Sequence, residues 1–544
     1  MGSQNVIGDV NGRIGIEQMH EVRAATSGIL QDNQRLRGRW IRQAFQRAPS
    51  QHGEHRAVER HGTHVTWEAY LCSTGFDRVS GIRLVSLLAR PPLFYTVVLE
   101  SRSDGAVQHL LLTSEHLAIP SFVHIIDQYT AVHPPARVHL IKNHLPSGLI
   151  SMTKNNFSSI LYFASVISFF EYLRGTILTG FPWNLTAFSL SELTYSIQIL
   201  SLIGTYSLNL LAITLFVLPS LIFFRINTKL KILFFLAIFI AVITNNIYGF
   251  KRIEKFSNVK EQVLDSKIVI VSPKIQLNRY FSNENPINKI DEIIKISHPE
   301  TNIKTMFIFP EGILSGIYLE DLNNYKNIFY KNFSENHKII LGINRTENFK
   351  IFNSLVLLNN KLDVLAKYDK NYLVPFGEFL PFENFLSKLG LKKITQGYNS
   401  FSDSLEREFI SDGKYKFLPL ICYEIIYTGK LNKKSKDFDY IVNISEDGWF
   451  GNRIGPEQHF SHSIFRAIEE GKNLYRSSNN GISAHINPVG KIEDKIKSTQ
   501  SGVIEVENVK FVKETIFSQQ GNKIFFYFLL IYITFASFLK RKDL

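Results

Sequence analysis

Three ionisable side chains stand just beyond expected strands: Glu311, Lys370 and Cys422. Phe307-Ile308-Phe309-Pro310 leads into Glu311. The proline lacks an N–H and stops a strand ladder, so the carboxylate is presented at a strand end. Lys370 lies in Tyr368–Pro381, a proline-punctuated loop rich in Phe, Tyr, Leu and Val that also carries Glu378. That many apolar neighbours predict partial burial and shifted pKa values for both charges. Leu418-Pro419-Leu420-Ile421 ends at Cys422, followed by Tyr423 and Glu424, the form of a nucleophile at a strand-to-helix turn. A thiol is a weak nucleophile until a base removes its proton, and acyl transfer also needs a group to hold the developing oxyanion. Glu311 would be the base, Cys422 the nucleophile and Lys370 the cationic donor to the tetrahedral intermediate, helped by the Tyr423 backbone N–H. Each piece alone has a plain structural reading. A Pro-Glu-Gly turn is common at surfaces, and a lone cysteine is usually a small buried apolar residue. Their joint occurrence favours chemistry.

The elements that must position these groups can be read around them. Between residues 267 and 510 short β-rich runs alternate with polar, helix-compatible stretches: Lys267–Val271, Thr305–Phe309, Lys338–Ile343, Ser354–Leu358, Phe417–Ile421 and Tyr440–Ile444. This alternation predicts an α/β domain over 265–512, with its chemistry just beyond strand ends.

Around that domain the chain reads as membrane. Four stretches, near 157–178, 204–224, 231–250 and 523–539, approach the roughly 20 apolar residues a spanning helix needs. They predict a membrane domain over 153–252 and a C-terminal transmembrane helix over 523–540. Arg225, Lys229 and Lys231 lie between the second and third stretches, and Lys540, Arg541 and Lys542 follow the fourth. The positive-inside rule makes both sites cytoplasmic and puts the α/β domain on the opposite side. Glu171 and Arg174 fall inside the first stretch on one helix face, which predicts either a structural ion pair or a polar feature near a lipid entrance.

The remaining composition narrows the class. A net charge of +13 over 544 residues could signal nucleic acid, but no base-reading or phosphate-cradling motif accompanies it. Basic flanks of membrane segments account for part of the excess. Two cysteines, Cys72 and Cys422, make no disulfide framework. Residues 1–152 are rich in Arg, His, Gln and Ser, whereas the rest is rich in Ile, Lys, Asn and Phe. Their first thirty residues lack the apolar h-region of a signal peptide. The apolar run Ile82–Leu99 is broken by Arg83, Arg90, Pro91 and Pro92, making it a poor spanning helix. No function is assigned to this segment, and its fold is unknown: a foreign extension, a poorly ordered tail and a soluble domain are the open readings.

Glu311, Lys370 and Cys422, in that order and context, resemble the triad of the nitrilase or carbon–nitrogen hydrolase superfamily. Further words narrow the likeness: Leu373-Val374-Pro375-Phe376-Gly377-Glu378, Cys422-Tyr423-Glu424, Asp447-Gly448-Trp449-Phe450-Gly451 and Arg476-Ser477-Ser478-Asn479-Asn480-Gly481. With Glu171-Tyr172-Leu173-Arg174-Gly175 and Thr179-Gly180-Phe181-Pro182-Trp183-Asn184 they are similar to the apolipoprotein N-acyltransferases over about residues 155–540.

That resemblance implies an αββα nitrilase-like sandwich inserted between transmembrane α-helices of the bacterial inner membrane, facing the periplasm. It implies a two-step reaction in which Cys422 takes a fatty acyl chain from a phospholipid as a thioester. The α-amine of a diacylglyceryl-cysteine at a lipoprotein N-terminus then accepts the chain. Glu378, Tyr423 and Glu424 become supporting residues, and either carboxylate is also readable as a structural partner of Lys370. No cofactor, metal or nucleic acid is implied; the partners are phospholipid, lipoprotein and membrane lipid. The family has further membrane helices ahead of Phe157, where this chain carries its unlike first segment. It also has a tryptophan near the position of Tyr280 and Phe281. A membrane-tethered amidase using water as acceptor, and a truncated lipoprotein-binding homologue without catalysis, are the competing readings.

Overall fold

The computed structural model describes the backbone of residues 82–90, 94–103 and 106–112, and residues 157–224, 226–280, 285–383, 400–404, 407–431, 437–451 and 453–541. The first three segments are strands β1 (Ile82–Arg90), β2 (Phe94–Ser103) and β3 (Ala106–Leu112) of an antiparallel sheet in the order β1-β2-β3. Residues 82–90 and 94–99 of the run Ile82–Leu99 are therefore strand, and the other expectations for residues 1–152, like those for Arg225, Phe281 and Lys542, lie outside the described residues.

Two six-stranded sheets form the α/β domain. One has the order β15-β4-β5-β6-β7-β8, from β4 (Gln262–Ser272), β5 (Thr305–Ile308), β6 (His337–Glu347), β7 (Lys350–Asn359), β8 (Val364–Asp369) and β15 (Gly502–Val509). The other has the order β14-β13-β12-β11-β10-β9, from β9 (Ile410–Ser411), β10 (Lys416–Ile421), β11 (Tyr440–Glu446), β12 (Asn473–Asn479), β13 (Ser483–Ile486) and β14 (Ile492–Ile496). Strands β4, β5 and β6 run parallel, as do β10, β11 and β12.

Strand periodicity sorts the first sheet's side chains into two cores. Ile268, Ile270, Met306, Ile308, Ile340, Leu355 and Leu357 share one cluster with Phe417, Leu418, Leu420, Ile441 and Val442 of the second sheet. Their neighbours Val269, Val271, Phe307, Ile339, Leu341, Val356 and Leu358 face the other way, onto Ile290, Ile293 and Ile294 of helix α4 and Phe329 of helix α5. Helix α4 (Pro286–Ser297) starts with the Asn285 side chain accepting from the Ile287 N–H and Pro286 in its first turn, and α5 spans Lys326–Asn332. Helix α6 (Gly455–Glu470) covers the second sheet through Ile464, Phe465 and Ile468. Sheets covered on both faces explain the uninterrupted apolar runs of the sequence, and the result is the αββα sandwich.

Four further helices flank it: α1 (Phe157–Arg174), α2 (Leu200–Val217), α3 (Thr228–Ser257) and α8 (Lys523–Arg541), the last preceded by the short α7 (Ile516–Gln520). Among the described residues, three helices are long and apolar enough to cross a membrane: Ser196–Ile222, Thr228–Ser257 and Lys523–Arg541. The first of the four expected stretches, α1, falls outside this group because Glu171 and Arg174 fill its last turn. The apolar window of α3 is entirely unburied, with Ile232, Leu233, Leu236, Phe239, Ile240 and Ile243 exposed. A continuous apolar surface of this extent suits lipid rather than water.

Phe157 of α1, Leu218 and Leu221 after α2, Leu230 and Phe234 of α3, and Ala536 and Leu539 of α8 meet in one cluster. Lys229, Lys231, Lys540 and Arg541 therefore flank the same end of the bundle. At the opposite end of α3 a polar seam forms: Asn245 donates to the Ser196 carbonyl at 2.9 Å, and Arg252 donates to the Pro488 carbonyl of the sandwich at 3.1 Å.

Candidate active site

Four strand ends supply the site. Beyond β5, Phe309 still bonds the Ile340 carbonyl at 2.9 Å, after which Pro310 ends the ladder and Glu311 turns inward, nearly buried. This segment lies directly on β6 at Gly342, where a Cβ would come within 2.6 Å of Glu311 Cα and 2.7 Å of the Pro310 carbonyl oxygen. Only glycine permits that approach. Lys370 follows β8 and Cys422 follows β10, both buried. Glu446 and Asp447 end β11.

Lys370 Nζ donates to Glu311 Oε1 at 3.1 Å and to Glu378 Oε1 at 2.9 Å. Asn353 Nδ2, from β7, donates to the same two oxygens at 2.7 and 2.9 Å. One ammonium and one amide thus hold two carboxylates in a fixed box. The second oxygen of Glu311 accepts from the Glu446 backbone N–H at 3.0 Å, and that of Glu378 from the Val374 N–H at 2.8 Å. Burial works against the Lys370 ammonium, but Glu311 and Glu378 outweigh it and hold its pKa well above the ordinary range.

Cys422 sits in the same field. Burial and then the Glu311 carboxylate push its thiol well up, against the opposing pull of Lys370, so the resting sulfur carries its proton. Its φ is 49°, a left-handed conformation costly for a residue with a Cβ, of the order of 1–3 kcal/mol. The expected helix after it is a single short 3₁₀ turn, Cys422–Ile426. Glu424 caps its start, its carboxylate folding back to accept from the Ile421 N–H at 2.9 Å.

The supporting carboxylates have different partners. Glu378 pairs with Lys370, whereas Glu424 accepts from the N–H groups of Asn371 and Tyr372 at 3.0 and 3.1 Å, Tyr368 Oη at 2.7 Å and Arg407 Nη2 at 2.6 Å. It thereby fastens the lysine loop to the cysteine turn. Tyr423 donates to the Gly180 carbonyl at 2.7 Å and stacks on Phe181, and burial pushes its hydroxyl up to about 12. Phe181 stacks on Trp183, and Arg174, paired with Glu171, holds the Phe181 carbonyl. The ion pair inside α1 thus reaches the loop that packs on the cysteine turn. Tyr280 stacks on Trp449 at 5.3 Å, so an aromatic ring stands where the resemblance expects tryptophan.

Sequence reasoning gave no role to several groups that act through these, although Asp447, Arg476 and Asn479 lie in the words that carry the resemblance. Arg279 forms a buried ion pair with Glu446 and donates to the Gly312 carbonyl at 3.3 Å, bracketing Glu311 on both sides. Asn479 donates to Glu446 at 2.7 Å. Asp447 bonds Arg476 Nη2 at 2.8 Å and lies 2.8 Å from His459 Nδ1; burial would raise its pKa, but Arg476 and His459 hold it well below the usual range. Asn353 had a visible signal, a polar residue inside the apolar run Ile351–Leu358. Among the described residues no group of three or more His, Cys, Asp or Glu side chains could hold a metal ion.

Known proteins share this arrangement of sequence. The family model for the carbon-nitrogen hydrolase matches residues 277–511, and that for the apolipoprotein N-acyltransferase N-terminal domain matches residues 138–218. The apolipoprotein N-acyltransferase of Bradyrhizobium diazoefficiens is 30% identical over 68% of this chain and 71% of its own length. The chain belongs to the apolipoprotein N-acyltransferase family. The enzyme of the same name from Rickettsia prowazekii is 31% identical over 68% of this chain and 74% of its own. A solved amidase of Nesterenkonia sp. AN1 covers 44% of this chain and 92% of its own at 14% identity, with a TM-score of 0.33. The N-terminal-domain match starts inside the 1–152 segment, which extends the likeness ahead of Phe157. As a member of this family the chain is a membrane acyltransferase of lipoprotein maturation with a nitrilase-like domain.

Proposed function

We propose that Cys422 carries a fatty acyl chain from a phospholipid to the N-terminal amine of a diacylglyceryl-cysteine lipoprotein, with Glu311 and Lys370 completing the triad. The observation that carries this reading is the box in which Lys370 and Asn353 hold Glu311 close to the buried Cys422 thiol. Supporting it, the family's relatives are named apolipoprotein N-acyltransferases.

In the first step Glu311 takes the Cys422 proton as sulfur attacks the ester carbonyl, and Lys370 donates to the developing oxyanion. Collapse breaks the ester C–O bond, and Glu311 returns the proton to the departing lysophospholipid oxygen. In the second step the lipoprotein amine attacks the thioester, gives a proton to Glu311 and expels the sulfur, which is reprotonated. Burial of Cys422 keeps water from the thioester between the steps. Glu378 holds Lys370, Glu424 joins the lysine loop to the nucleophile turn, and Tyr423 fixes that turn against the membrane-side loop at Gly180.

In this reading the chain has three working parts: membrane helices within 153–252, the sandwich over 265–512, and the anchor at 523–540. Helix α1 is a fourth crossing, with Glu171 of its last turn buried and paired to Arg174. Residues 1–152 have no assigned role. The basic residues at one end of the bundle face the cytoplasm, so the sandwich faces the periplasm. Incubation with phospholipid and a diacylglyceryl-cysteine peptide should yield N-acyl peptide and lysophospholipid in equal amounts. Free fatty acid with unmodified peptide would contradict the reading.

A further inference from the structure

Helix α2 is broken inside its apolar run. Gly204 has φ 72° and ψ 176°, and a Cβ there would lie 1.9 Å from the Phe517 ring. A break of this kind frees backbone groups that need new partners. Here the partner comes from the sandwich: Glu469 Oε1, on α6, accepts from the Thr205 N–H at 2.7 Å and from Thr205 Oγ1 at 2.6 Å. The same oxygen accepts from Thr428 Oγ1 at 2.8 Å, two residues beyond the Cys422–Ile426 turn. Arg466, one helical turn before Glu469 and ion-paired with it at 2.8 Å, donates to Thr205 Oγ1 at 2.6 Å and to the Ile426 carbonyl at 3.2 Å. Every one of these side chains is buried.

We propose that Arg466 and Glu469 are positioning residues that lock the nucleophile turn to the kink of the membrane helix α2. The kink then sets where Cys422 stands, and lipid-side movement of α2 reaches the sulfur through two side chains. A buried ion pair is poor as a stability device, because an apolar pair of the same volume often does as well. The hydrogen bonds that both side chains make to Thr205 serve placement, where an ångström of error costs about a hundredfold in rate. Burial pushes the Glu469 carboxyl up and pulls the Arg466 guanidinium down, opposed in each case by the partner. This inference rests on Cys422 being the acylated residue.

The test uses the full chain in detergent with phospholipid and a diacylglyceryl-cysteine peptide. Thr205→Val keeps the volume and backbone N–H but removes the hydroxyl that both charges share; Thr205→Ser keeps the hydroxyl. Thr205→Val should lower kcat about tenfold at unchanged KM and slow alkylation of Cys422 by iodoacetamide, a probe that needs no lipid site. Thr205→Ser should restore both. Glu469→Gln, which retains an acceptor but not the charge, should show the same loss with a melting temperature still measurable. Wild-type kcat and alkylation rate in both Thr205→Val and Glu469→Gln would overturn the coupling. Failure of wild-type Cys422 to acylate at all would instead overturn the reading beneath it.

Discussion

At the residue scale, the site is a charge arrangement before it is a nucleophile. Lys370 is buried between two carboxylates, and removing it would leave both uncompensated, a loss of about 3–5 kcal/mol that mixes folding with catalysis. Asn353 is the cleaner probe, since it carries no charge yet donates to Glu311 and Glu378 at 2.7 and 2.9 Å. Asn353→Leu should lower kcat by roughly ten- to a hundredfold through loss of orientation, with KM for phospholipid little changed. Steady-state kinetics on the purified protein would show it. Of these residues, Glu311 and Cys422 were legible in the sequence because each ends an apolar run beside a proline or a turn, and Lys370 because its proline-punctuated loop is crowded with apolar residues. The division of labour between Glu378 and Glu424 was not, because it depends on which strand ends meet across the two sheets.

Imidazoles give a second test at this scale. Burial holds His337, His459 and His462 below the ordinary range and His485 at about 4. Below about pH 6.5 the unfolded chain takes up protons that the folded chain refuses. The stability these groups confer is therefore complete above that pH and is lost as pH falls toward the folded values. His485 alone should account for about 2 kcal/mol between pH 7 and pH 5. Melting in detergent should fall over that interval, and His485→Gln should flatten the slope.

At the scale of elements, the strands were legible because both sheets are covered on both faces, so each central strand is an apolar run. The kink in α2 was hidden, since Gly204 sits in an apolar stretch like any tolerated helix glycine and its hydrogen-bond partner lies on α6. Buried Arg466 and Glu469 likewise read as the polar side of an amphipathic helix. Gly342 shows how closely the elements are fitted, with a new Cβ meeting Glu311 Cα at 2.6 Å and Ile444 Cδ1 at 2.9 Å. Backbone cannot swing aside as a side chain tip can. Gly342→Ala should therefore destabilise by about 1–3 kcal/mol and displace Glu311, so that kcat drops at least tenfold at temperatures where the variant is fully folded. Paired melting and kinetic measurements separate the two effects, and wild-type turnover would contradict the packing argument.

At the scale of the molecule, membrane character follows from apolar surface that no protein covers, above all on α3. The proposed orientation rests on basic residues gathered at one end of the bundle. With a Cys72→Ser background to limit unwanted labelling, Lys367→Cys on the exposed edge of β8 should react with a membrane-impermeant thiol reagent in intact spheroplasts. Lys229→Cys, in the first turn of α3, should react only after permeabilisation. The reverse pattern would invert the topology.

The central claim is the acyl thioester on Cys422. Purified protein exposed to phospholipid of a single acyl composition, without acceptor, should gain the mass of one fatty acid less water. Hydroxylamine should remove it, Cys422→Ala should lack it, and diacylglyceryl-cysteine peptide should discharge it as N-acyl peptide. Transfer to peptide by protein that never carries the adduct, or an adduct that persists in Cys422→Ala, would contradict the account.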